Sequence, residues 1–447
     1  MLLWFVETLF GAKIKPNERR LVALLALNLF LVLSVYYILK VVREPLILLE
    51  GGVAMRNAAR GAQAGLLLFL VPLYGRLLNR RPPRTIVTRV LFGFLLSMLA
   101  FPLLSWWGVP VGFAFFVWLG IFSITVLAQL WSLANDLFSE EAGKRVFSIV
   151  AAGGTLGGLL GAQLVAFLTR WLDPMQLVVL AALIFSLCVL LTRAICALAD
   201  TLAPDARLAN AEASTTSAHG GFTLILRDPY LLLIAGSVIL LNLVNTTGDQ
   251  VLAMIVQTQS AALGSEDREQ FLMEFYASFQ TWVGLLTALM QVLTVARIVR
   301  TAGMRTALLA VPVLAFGGYG ALALFPALGL IRVLKIVENS AGYSLQNTVQ
   351  QMLFLPTSRG AKYKAKSATD TFFVRLGDLC SWALVTVALA AGWGTTTLAL
   401  VNVAVAALWV LVAALLGRGY AANAARRRAP VPHGPWLGLA PAVSPKR

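Results

Sequence analysis

The chain has 447 residues, of which 59% are hydrophobic and only 13% charged, and its mean hydropathy is +0.81. A water-soluble protein of this length cannot hide that much apolar surface, so the composition excludes a soluble globular class and implies membrane-spanning helices. The net charge of +16 would suit a nucleic-acid binder, but the basic residues lie between apolar segments and form no soluble basic domain.

In chain order, the opening "MLLWFVETLFGAKIKPNERR" puts an apolar patch before its positive charges, the reverse of a secretory signal. Leu2–Phe10 reads as an interfacial helix lying on the membrane or as an apolar tail without fixed structure. Six helix-length apolar segments follow, near 21–49, 59–78, 86–107, 111–138, 145–169 and 175–198. Next comes a polar stretch rich in Ala, Asp, Ser and Thr, which reads as a linker. Six more segments lie near 230–258, 271–296, 305–324, 327–355, 367–391 and 395–417, before a Pro-rich tail with the composition of a disordered segment. The pattern predicts an all-α membrane protein with twelve transmembrane helices. Its units are a six-helix bundle over 1–198, a cytoplasmic linker over 199–229, a second bundle over 230–418, and a tail over 419–447.

Basic residues orient this plan. With the N-terminus in the cytoplasm, the opposite side holds Arg56, Arg60, Arg170 and Arg268, and five cations lie deep within spans. All the rest of the 36 Lys and Arg fall on the cytoplasmic side, which predicts cytoplasmic termini and contact with anionic lipid. Repetition supports two related halves. "GRLLNRRPPR" after span two corresponds to "ARIVRTAGMR" after span eight, with Arg76 matching Arg297 and Arg84 matching Arg305. Six plus six with a central linker is the plan of the major facilitator superfamily, whose loop signature is degenerate here because Asn79 stands at its Asp position.

Ionisable groups within spans are costly in hydrocarbon and so point to a wet interior. Span one carries Tyr36, Lys40, Arg43 and Ile47 on one face, with Glu44 placed to pair with Lys40. That face reads as an anion-attracting patch or as a self-satisfied ion pair. Span four offers Gln129, Ser132 and Asp136 on one face, and Asp136 suits a cytoplasmic gate with Lys144 or Arg145, as does Lys364 before span eleven. The run "GGTLGGLLG" lacks the Gly-Lys-Ser/Thr ending of a phosphate loop. Its glycines recur every four residues, the spacing of a close helix-packing ridge. Span seven contributes Asn242, Asn245, Thr246 and Asp249. Span ten contributes Arg332, Lys335, Glu338, Asn339, Tyr343 and Asn347. Span eleven contributes Asp370 and a pair, Arg375 and Asp378, three residues apart. No nucleophile–base pair or metal cluster argues for an enzyme, and no cofactor is expected.

Three stretches, "YYILKVVREPLIL", "LWSLANDLFSEEAGKRVFSIVAAGGTLGGLLG" and "YSLQNTVQQMLFLPTSRGAKYKAKSATDTF", resemble the ATP/ADP translocases of plastids and intracellular bacteria. The resemblance implies a facilitator fold. It puts the family's substrate-linked basic residues on Lys40 and Arg43, with its acidic residue on Glu44. Elsewhere the family's charges are replaced, at Gln129, Asn245, Asn347, Gln350 and Gln351, and a family Lys near Asp378 is also lost. The expected function is therefore a secondary transporter of an anionic small molecule, by resemblance a nucleotide. Substrate contacts would come from Tyr36, Lys40, Arg43, Glu44, Gln129, Asn245, Asp249, Asn347, Arg375 and Asp378. The expected setting is the bacterial inner membrane, as a monomer with no nucleic-acid partner. A lipid or drug exporter, or a non-transporting receptor or scaffold, are the alternatives.

Overall fold

The computed structural model describes residues 19–78, 83–138, 140–202, 219–293, 298, 301–357 and 365–428, and among them there is no strand. Leu2–Phe10, Asn79 and Lys364 lie outside the described residues. Helix α1 (Arg19–Leu78) holds the first two spans. Its 52-residue apolar stretch would run about 80 Å as one rod at ~1.5 Å per residue, more than twice a hydrocarbon core of about 30 Å. It turns instead at Gly52, where φ is +63 and ψ −161. Only glycine adopts that backbone freely, and a Cβ there would also lie 2.6 Å from the amide nitrogen of Gln257.

The remaining helices of the first half are α2 (Pro83–Trp106), α3 (Gly112–Leu137), α4 (Glu140–Leu168) and α5 (Pro174–Leu202). After α6 (His219–Arg227), the second half comprises α7 (Pro229–Ser260), α8 (Ser265–Leu293), α9 (Gly303–Leu324), α10 (Leu328–Ala341), α11 (Asn347–Leu353), α12 (Val374–Ala390) and α13 (Thr395–Arg428). Start signals are local. The Asp228 carboxylate accepts the Tyr230 N–H at 2.9 Å with Pro229 at the first helical position. Glu50, at the end of span one, accepts the Val111 and Gly112 N–H groups at 2.9 and 2.7 Å and so caps α3. Two turns, Gly342–Gln346 and Thr369–Phe373, are widened to i→i+5 bonding. Such turns recur at functional sites, and here one contains Tyr343 and the other ends two residues before Arg375.

Nine helices among the described residues are long and apolar enough to cross a membrane, the first of them long enough to cross twice. Helix α8 and the stretch 328–353 fall outside that class, so length and apolarity alone stop short of twelve. The outer faces are apolar, as a lipid-facing surface requires: Leu183, Leu187 and Leu190 on α5 are all more than half exposed, whereas Phe185 and Cys188 between them are buried. Two differences from the sequence reading stand at the polar connections. Helix α6 occupies the end of the stretch read as a linker, and α13 continues to Arg428, past the expected end of span twelve.

The glycine ridge of α4 seats span one. A Cβ at Gly161 would lie 2.6 Å from the Ser34 carbonyl oxygen, and those at Gly153 and Gly157 would come closer still to the carbonyls of Ala26 and Phe30. The Ser34 hydroxyl donates to the Gly157 carbonyl at 3.0 Å across the same seam. The backbones of spans one and five thus touch, as small residues in a membrane permit. Gly157→Ala should force them apart and cost about 1–3 kcal/mol as overpacking does. Its check is a lower melting temperature of the purified protein than that of Gly65→Ala, a site with open space around it.

Candidate functional site

Between the halves lies a cavity of about 280 Å³. Span one and its continuation past the bend supply Arg43, Arg60 and Gln63, and α3 supplies Phe116. From the second half, α7 supplies Asn242, Asn245, Thr246 and Asp249, the widened turn supplies Tyr343, and α12 supplies Arg375 and Asp378. Asn242, Asn245 and Asp249 recur every three to four residues, so one face of α7 looks into the cavity.

The ion pairs of the site differ from helical spacing. Glu44 does not pair with Lys40. Its carboxylate accepts from Arg43 on one oxygen and from Arg56, at 2.6 Å, on the other. Arg43 also lies 4.2 Å over the Phe116 ring. Lys40 sits among three tyrosine rings, 6.0 Å from Tyr36, 5.3 Å from Tyr37 and 5.6 Å from Tyr343. Cation–π attraction of that kind suits a desolvated ammonium, and among the described residues no carboxylate pairs with it. Arg375 and Asp378 pair at 2.8 Å, as their spacing predicts, and Thr246 donates to Asp378 at 3.2 Å.

A second ionic chain crosses from one half to the other. Arg60 donates to Asp249 at 2.9 Å and to the Thr246 carbonyl at 3.1 Å. Lys335, fully buried on α10, reaches Asp249 at 3.1 Å, Glu338 at 3.0 Å and the Asn245 carbonyl at 3.1 Å. Tyr319 on α9 donates to the same Glu338 oxygen at 2.7 Å.

Other expected site residues stand elsewhere. Gln129 is buried on α3, away from the cavity, with neither amide atom hydrogen-bonded. Asn347 is exposed. The side chains of Asp136, Lys144 and Arg145 lie outside what the structure describes. Sequence reasoning assigns Arg56 and Arg60 to an exterior connection, but helix resumes directly after Gly52 and carries both into the site. Their i,i+4 spacing in an apolar context is the signal that marks them.

Every described polar bond between the halves falls within residues 53–60. Gln257 accepts the Val53 N–H and Gln250 donates to the Val53 carbonyl, both at 2.8 Å. Arg56 donates to Gln250 at 2.8 Å and Asn57 to Thr386 at 2.9 Å. The bend therefore has its exposed backbone groups satisfied by amide side chains of the opposite half, as irregular backbone at membrane depth requires.

A separate cavity of about 280 Å³ lies between the 169–174 turn and the start of α8. It offers one cation, Arg170, against Asp173 and Glu269. Burial and the neighbouring Asp173 charge push the Glu269 carboxyl above its ordinary range. Such a lining does not favour an anion.

Comparison with known proteins bears on this arrangement. Residues 103–318 match the family model described as TLC ATP/ADP transporter. The chain is similar to ADP,ATP carrier protein 1 of Chlamydia pneumoniae, 21% identical over 349 residues, which span 68% of this chain and 66% of that relative. The chain thus matches just under two thirds of the relative's length. In three dimensions it is similar to the nucleoside transporter NupG, with a TM-score of 0.63 and 14% identity over 90% of this chain and 99% of that one. It is also similar to the human organic anion transporter MFSD10, with a TM-score of 0.59 and 16% identity over 89% of this chain and 100% of that one. These two likenesses establish the major facilitator-like fold. The chain is thus a multi-pass helical protein with that fold and an ion-lined cavity between its halves, and just under half of it matches the TLC ATP/ADP transporter family model.

Proposed function

We propose that the chain carries an anionic metabolite, a nucleotide, by alternating access of the cavity between its two six-helix halves. One observation carries this reading: Lys40, a cation without a carboxylate partner among the described residues, lies behind Tyr343, whose ring lines a cavity together with Arg43, Arg60 and Arg375. In a water-poor interior such a charge calls for an anion. The similarity to an ADP,ATP carrier supports a nucleotide as that anion. Asn242, Asn245 and Gln63 supply amides for its polar part, and Phe116 and Tyr343 supply rings. A cavity lined by three arginines favours this over a lipid or amphipathic drug.

The positive-inside bias supports cytoplasmic termini and puts the Gly52 bend at the outer end. Arg56 and Arg60 lie inside the protein, so they drop out of the exterior count and the bias grows. On this orientation the polar seal over residues 53–60 closes the outer side. Asp136, Lys144, Arg145 and Lys364 are the gating residues of the opposite end.

Uptake into proteoliposomes loaded with ADP tests the reading. Labelled ATP, ADP or AMP outside should enter in exchange for the internal pool. Failure of every nucleotide, nucleoside and inorganic phosphate to exchange would overturn the nucleotide assignment.

A further inference from the structure

We propose that Glu338 is a proton-binding group that couples the outer gate of this carrier to pH. The inference rests on the alternating-access part of the reading above and not on the identity of the cargo.

The argument begins with a shared cation. Lys335 has no exposure and lies between two carboxylates, 3.1 Å from Asp249 and 3.0 Å from Glu338. One ammonium cannot neutralise both. The second positive charge is Arg60, 2.9 Å from Asp249. Lys335, Asp249 and Glu338 belong to the second half, whereas Arg60 belongs to the first. The cluster is thus neutral only while the two halves meet at the Gly52 end.

Separation of the halves at that end removes Arg60. Two carboxylates then face one ammonium in a buried place, and an unpaired charge there is strongly unfavourable. The two acids are not equivalent. Asp249 lines the cavity and its side chain is a quarter exposed, so water can solvate it. Glu338 is only 3% exposed and must keep a partner or lose its charge. Its geometry suits the second course. Lys335 and the Tyr319 hydroxyl both engage Oε2, while Oε1 is buried with no hydrogen-bond partner. A proton can therefore settle on Oε1 without breaking either bond. The ionisable groups that face Glu338 are Lys335 on its own helix, Tyr319 on α9 and Asp249 on α7. None of them supplies the charge that Arg60 takes away.

The cycle balances as one proton. It binds the Glu338 carboxylate when the outer end is open and Arg60 is withdrawn. It leaves to the cavity when Arg60 returns to Asp249 and Lys335 is freed to serve Glu338. The outward-open state holds the extra proton, so acid favours it and rising pH favours the closed state.

The test needs no substrate, so its failure and that of the nucleotide assignment are separable. The native cysteines are replaced by serine, and spin labels are attached at Val109 and Leu263, exposed positions on outer connections of the two halves. Distances are then measured in nanodiscs across a pH series. The unsubstituted site should show a longer-distance population growing as pH falls. Glu338→Gln, which mimics the protonated acid, should lose that response and hold the long population throughout. Tyr319→Phe removes a hydrogen bond that favours the ionised carboxylate, so it should move the midpoint to higher pH. A distance that ignores pH, a Glu338→Gln protein that keeps the full response, or an unmoved midpoint in Tyr319→Phe would each overturn the proposal.

Discussion

Glu44→Gln is expected to give the largest loss of stability among conservative changes in the cavity region. Glu44 is 4% exposed and shares its two oxygens between Arg43 and Arg56, and Arg56 is only 2% exposed. Glutamine keeps the size and one acceptor oxygen but removes the single negative charge between two guanidinium groups. Breaking a buried pair in this way costs about 3–5 kcal/mol because an uncompensated charge is left behind. The reading is a marked fall in melting temperature of the detergent-purified protein, with a looser seam beside Gly52 because Arg56 also holds Gln250. A melting temperature equal to that of the unmodified protein would mean that Arg43 and Arg56 have other sources of negative charge.

Lys40→Gln combined with Arg43→Gln should do the opposite, sparing the fold and removing transport. Lys40 sits against tyrosine rings and pairs with no carboxylate among the described residues, so its loss strands none of those. Removing Arg43 leaves Glu44 paired with Arg56. Melting temperature should therefore change little. Truncating one member of a desolvated charge pair costs about 2–5 kcal/mol, which at about 1.4 kcal/mol per tenfold is a loss on the order of a hundredfold in nucleotide exchange. Normal exchange by the folded double variant would remove both residues from the substrate site.

These two variants mark what could be read from the residues and what could not. The pairing of Arg375 with Asp378 and the packing ridge at Gly153, Gly157 and Gly161 follow from spacing along one helix, and spacing is visible in a sequence. The partner of Glu44 is not. The i,i+4 rule points to Lys40, but Arg56 arrives from beyond the bend and takes the carboxylate through a tertiary contact. Arg56 and Arg60 escape for a related reason. Span one reads as ending near 49 and span two as starting near 59, so the cations at that junction look like exterior charges. In the structure only Gly52 leaves helical geometry, and the next turn already faces the other half. The buried Lys335 between Asp249 and Glu338 joins two helices far apart in sequence, and its i,i+3 half alone is legible.

The Gly52 bend carries one more implication. The N–H of Val53 donates to Gln257 from across the seam, and that bond lasts only while the two halves meet at this end. On the alternating-access proposal, parting of the halves breaks this bond and opens the amide to water. Its deuterium uptake should therefore speed up as the fraction of molecules with this end of the seam parted grows, a readout of seam opening that needs no knowledge of the cargo.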